Sequence, residues 1–162
     1  MKKITIIIVA VGLVTGVAIA SANDVLHRVS LGGADICEAI GLPTGCDANF
    51  SLVAIEKADG TVMGQWQDTF VGGLEGVHVA VDCINFVGNG AVIGGVITHG
   101  FAGGVDVSGL RALTAVIDAG TSANDPPDLM SFSIFPIALT CDQVIPAQFP
   151  LFNLTHGQVK VR

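Results

Sequence analysis

Basic side chains are scarce in this sequence. Its 162 residues hold 7 Lys and Arg against 14 Asp and Glu, a formal net charge of -7. A surface so poor in cations repels phosphate backbones and anionic headgroups, which argues against nucleic acid and acidic membrane surfaces as partners. Tyrosine is absent and tryptophan occurs once. No stretch after the first twenty residues has the period of an amphipathic helix, and no repeat marks a solenoid or propeller. The motifs of common chemistries are missing too. There is no G-x-S-x-G elbow and no HExxH pair. The glycine pairs at 72–73 and 103–104 open no helix, so they cradle no phosphate. The four cysteines form no CxxC or Cys/His set of the kind that binds zinc or exchanges disulfides.

The first thing the chain does have is a leader. Met1-Lys2-Lys3 is a short basic start, residues 4–20 are apolar and uncharged, and Ala20-Ser21-Ala22 is a small-x-small cleavage signal. These describe a secretory signal peptide over residues 1–22, with an uncleaved N-terminal anchor as the alternative. Cleavage after Ala22 removes Lys2 and Lys3, leaving five basic residues against fourteen acidic ones, a net charge of -9. Export to the periplasm, the cell surface or the medium permits disulfides. Four cysteines allow three pairings. Cys37 and Cys46 bracket a turn-like stretch with Gly41, Pro43 and Gly45, which favours Cys37 with Cys46 and Cys83 with Cys141 as structural staples.

The rest reads as β-structure. Residues 23–47 form an irregular, disulfide-bound segment with an entry strand near 26–30, and residues 48–162 form one β-domain. Phe50, Leu52 and Ala54 alternate onto one face, as do Val62, Gly64 and Trp66. A two-residue Asp59-Gly60 turn sets apolar against polar side chains across this pair. A three-residue loop with Gly60 left-handed pairs Leu52 with Trp66 and Ala54 with Gly64, so the pattern selects that register. Trp66 then lies in the core, where its indole N–H needs an acceptor.

Residues 76–99 read as a central hairpin. Val77, Val79, Val81 and Cys83 share one face, and His78, Ala80 and Asp82 the other. Asn89-Gly90 signals the turn. The returning strand is apolar on both faces and carries Gly94-Gly95, a mark of a bulge, a bend or close packing. Strands follow at 110–118 and at 129–139, the latter broken at Pro136. A short alternating strand ends the chain at 158–162, with Val159 and Val161 inward. Seven or eight strands joined by hairpin turns predict an all-β fold, a single antiparallel up-and-down β-barrel or a two-sheet sandwich.

Two places offer chemistry. Asp118, Asn124, Asp125 and Asp128 surround Pro126-Pro127 and supply hard oxygens of the sort Ca²⁺ gathers in sixes to eights, although Asx residues beside proline also simply make turns. The polar face of the hairpin carries His78 and Asp82, about 13 Å apart by strand rise and out of mutual reach. His99 joins them only if the turn register places it on the same face. His27 and His156 lie near opposite ends of the chain with nothing cooperative around them.

The stretches ADGTVMGQWQ (58–67), VDCINFVGNGAVIGGVI (81–97) and VIDAGTSANDPPDLMSFS (116–133) resemble a family of secreted bacterial all-β proteins with no known activity. The resemblance covers the chain from about residue 49 onward and implies export and a compact β-domain, with no catalytic residue to carry over. The sequence therefore points to a secreted, non-catalytic binding or structural module without a cofactor. A small barrel enzyme of cyclase or isomerase type, working in an interior cavity, is one alternative. Self-assembly into homo-oligomers through edge strands, with 158–162 pairing onto a neighbour, is the other.

Overall fold

A computed structural model describes residues 24–35, 37, 41–42, 49–120 and 124–162. Residues 1–23, where a signal peptide is expected, Cys46 and part of the acidic loop lie outside the described residues. Ten strands make one antiparallel sheet: β1 (Val25–Asp35), β2 (Asn49–Lys57), β3 (Val62–Thr69), β4 (Gly76–Val87), β5 (Gly90–Ala102), β6 (Val105–Asp106), β7 (Arg111–Ile117), β8 (Leu129–Ser131), β9 (Leu151–Asn153) and β10 (Gln158–Val161). Their order is β10-β1-β2-β3-β4-β5-β7-β8-β9, with β6 also paired to β5. The sheet curls into a half-barrel, so the all-β, up-and-down expectation holds with more strands than expected. No described helix is long and apolar enough to cross a membrane.

The inner face follows from period-two alternation. Val29, Leu31, Phe50, Leu52, Ala54, Trp66, Val77 and Val79 are buried there, and Ile93, Ile97, Val116 and Val159 complete the core. Leu52 opposes Trp66 and Ala54 opposes Gly64, the register the hydrophobic pattern selects. Gly60 has φ 81°, the left-handed value that loop requires. The indole of Trp66 donates to Ser133 Oγ at 3.1 Å, which satisfies a buried polar group that would otherwise cost stability. Val159 is fully buried, as its place in the terminal strand predicts.

Four expectations need correction. The entry strand is longer than 26–30: it runs from Val25 to Asp35 and lies within the sheet between β2 and β10. The hairpin turn falls one residue early, with Val87 paired to Gly90 across Gly88-Asn89 and Gly88 at φ 61°. This frees Asn89 to donate its side-chain amide to Asp118 O at 2.6 Å. Cys83 does not share the face of Val77, Val79 and Val81. A bulge between Val81 and Cys83, opposite Gly95 and Gly94, moves Cys83 to the outer face. The strand expected over 129–139 is only Leu129–Ser131. Beyond it a single bridge joins Ile134 to Leu113, and β9 pairs with β8 instead.

The displaced Cys83 builds a second cluster. Val92, Leu113 and Ala115 point outward from β5 and β7 and are covered by Cys141, Val144 and Phe149, which lie in and around two 3-10 turns, Cys141–Gln143 and Pro146–Gln148. The expected Cys83–Cys141 disulfide fastens this cover, and Asn85 Nδ2 donates to Val144 O at 2.9 Å. Gly94 is obligatory beneath it. A Cβ there would stand 2.6 Å from both Cys83 Sγ and Leu113 Cδ2. Cys37 is also disulfide-bonded.

Candidate binding face

Away from that cover the outer face of the same strands is bare. Register lines up Ser51, Gln67, His78 and His99 across β2 to β5, with Val53, Gln65, Ala80 and Val96 in the next row. All eight are exposed. A second bulge sharpens this surface. His78 opposes His99 while Val79 opposes Ile97, so Thr98 is an extra residue in β5. Thr98 and His99 both face solvent, and the Thr98 hydroxyl donates to His78 O at 3.1 Å.

A groove of about 520 Å³ is lined on its open side by Ser51, Val53, Gln65, Gln67, His78 and Thr98. Among the described residues, no Asp, Glu, Lys or Arg lines it. A second hollow of about 190 Å³ continues from Gln67 and His78 to His99 and Phe101, beneath the β3–β4 loop. Glu75 pins that loop, its two carboxylate oxygens each accepting an N–H at 2.6 Å, from Gly103 and Gly104. The His78 and His99 rings stand 6.3 Å apart, and Phe101 meets His99 edge-on at 5.9 Å. His99 thus joins His78, whereas Asp82 makes a two-pronged bond to Arg111 at 2.7 and 2.8 Å. Asp82 strengthens the hold of the guanidinium on its proton. The same Arg111 also donates to Cys83 Sγ at 3.0 Å.

The acidic loop does different work. Asp128, 8 % exposed, accepts the N–H of Ala119 on Oδ1 at 2.8 Å and that of Val159 on Oδ2 at 2.7 Å. Asp118 accepts Gly120 N–H on Oδ1 at 3.3 Å and Val161 N–H on Oδ2 at 3.1 Å. Val159 and Val161 point these donors away from β1, so the two carboxylates take the place of a further strand beside β10. The seam between the ends of the sheet is bridged by side chains. The Asp125 side chain packs against Gly120, where a Cβ would overlap it, and both Asn124 and Asp125 make polar contacts of their own. Among the described residues no three His, Cys, Asp or Glu side chains converge as a metal set.

Two arrangements escaped the sequence. His27 is not isolated: its Nδ1 lies 2.9 Å from Glu56 Oε2, and its ring packs on Phe86 at 4.7 Å. No periodic signal links residues 29 apart. Asp68 is buried on the inner face between Phe50 and Val77, and accepts Ser133 N–H at 3.3 Å. Burial raises its carboxyl above the ordinary value, and the Ser133 hydrogen bonds oppose that rise. Its inward direction was legible from alternation with Trp66. No family model, no curated protein and no solved structure matches this chain.

Proposed function

We propose that this chain is an exported, non-catalytic binding module whose outer groove takes an uncharged, hydroxyl-rich ligand of the neutral oligosaccharide class. The observation that carries this reading is the lining of the 520 Å³ groove. Hydroxyls of Ser51 and Thr98, carboxamides of Gln65 and Gln67 and the imidazole of His78 both donate and accept, and Val53 and Ala80 lie between them. A charged ligand meets no counter-charge there, and an anion is further repelled by the net charge of -7. The buried Leu31, Leu52, Trp66 and Val79 border the groove from the core side, and the inner face beyond them is packed with Phe50, Val77, Ile93 and Ile97, which supports an outer site over an interior one. The Cys83–Cys141 disulfide suits the oxidising compartment that the leader implies.

Calorimetry with a panel of soluble neutral oligosaccharides tests this directly. At least one is expected to bind, and the double substitution of Gln65→Ala and Gln67→Ala to weaken it about tenfold or more, two hydrogen bonds being worth roughly 0.5–1.5 kcal/mol each. Binding that ignores those substitutions, or a charged oligosaccharide binding in preference, overturns the assignment.

A further inference from the structure

We infer that His78 and His99 form a two-imidazole site for a borderline divalent transition-metal ion of the Zn²⁺ class, at the junction of the two grooves. The chain has 4 histidines, and the fold sets two of them opposite each other on neighbouring strands. The bulge at Thr98 turns His99 onto the face of His78, and both rings line the same 190 Å³ hollow. Their centroids are 6.3 Å apart. An ion bonded to one nitrogen of each ring at about 2.0–2.1 Å draws the centroids to roughly 5 Å in tetrahedral geometry. The closing of about 1 Å is within reach of exposed side chains that rotate about χ1 and χ2.

The surroundings suit a cation. Gln67 lies beside His78 in the register and offers a carbonyl oxygen. Asp106, in β6 opposite Phe101, is close enough to His99 for the two to interact electrostatically. Imidazole nitrogen selects zinc, copper and nickel over the hard ions calcium and magnesium. Two protein nitrogens leave the remaining positions to water and Gln67, so the site is open rather than a closed structural one. It shares His78 and Gln67 with the oligosaccharide reading but adds His99 and takes a different ligand, so titration with Zn²⁺ alone and titration with a sugar can fail independently.

The test is calorimetric titration of the untagged chain with Zn²⁺ alone, followed in parallel by the imidazole NMR signals. One ion per chain is expected, shifting or broadening the signals of His78 and His99. His78→Asn and His99→Asn should each weaken binding by roughly a hundredfold, the lower range of what making a second contact intramolecular is worth. His156→Asn should leave it unchanged. Both substituted rings are exposed, so an unaltered melting temperature separates loss of the site from loss of the fold. The proposal is overturned if the wild type takes up no Zn²⁺ at millimolar concentration. It is equally overturned if either hairpin variant binds as the wild type does, or if His156→Asn abolishes binding.

Discussion

The outer face of β4 and β5 is treated in opposite ways at its two ends. Toward the Gly88-Asn89 turn it carries Cys83, Val92 and the neighbouring Leu113, and the segment around Cys141–Gln143 is tied down over them. Toward the open end it carries His78, Thr98 and His99, with Gln65 and Gln67 alongside, all exposed and bordered only on one side by the β3–β4 loop among the described residues. The inner face beneath is the same continuous core at both ends. A β-bulge prepares each end. One moves Cys83 outward to meet its partner, and the other places Thr98 and His99 side by side in solvent. The two ends differ in what each outer face needs: apolar groups must be shielded from water, whereas hydrogen-bonding groups are satisfied by water until something displaces it.

Substitutions at the covered end should therefore be costly, and those at the bare end nearly silent. The largest effect is expected from replacing Cys83 and Cys141 together by Ala. The disulfide closes a loop across a separation of 58 residues. Its loss should cost about 4 kcal/mol in urea unfolding on the loop-entropy model. Next, Asp128→Ala strands the N–H groups of Ala119 and Val159 at the seam. A loss of about 2–3 kcal/mol is expected, with faster amide exchange in β10. Gly94→Ala pushes a methyl into Cys83, Leu113 and Cys141 and should cost roughly 1–3 kcal/mol. Gln65→Ala and Thr98→Ala should stay within about 0.5 kcal/mol of wild type. A bare-end substitution as damaging as Gly94→Ala would erase the distinction between the ends.

The inner core supplies a check through pH. Burial raises the Asp68 carboxyl above its ordinary 3.8 in the folded chain. The native state thus holds this proton to higher pH than the unfolded chain does. The stability it contributes is fully present below the unfolded value and is lost as pH rises through the folded one. Unfolding free energies from urea titrations measured upward from pH 3.8 should fall in wild type by more than in Asp68→Asn, by about 1.4 kcal/mol for each pH unit between the folded and unfolded values. Parallel profiles would show that Asp68 is not desolvated between Phe50 and Val77.

Much of the fold was legible because one physical rule governs it. Alternation placed Trp66 opposite Leu52, sent Val159 inward and marked the second hairpin strand as apolar on both faces. What the sequence hid are the places where that rule is interrupted. A bulge adds one residue to one strand and reverses every side chain beyond it, so Cys83 fell on the wrong face, while the Thr98 bulge kept the pairing of His78 with His99 out of view. The acidic loop showed its oxygens but not their use. Asp118 and Asp128 serve β10, which lies 43 and 31 residues away at the bonded valines. Contacts of that range, like His27 with Glu56 and Trp66 with Ser133, depend on how the sheet curls.

The central claim is that the bare end of the outer face is where this molecule meets its ligand. Two-dimensional ¹H–¹⁵N NMR of the chain titrated with the tightest-binding neutral oligosaccharide tests it most directly. Shift changes confined to the backbone of Ser51, His78 and Thr98 and to the side-chain amides of Gln65 and Gln67 are the predicted result. Changes centred on the inner face at Asp68 and Ser133, or on the covered end around Cys141 and Val144, would contradict it.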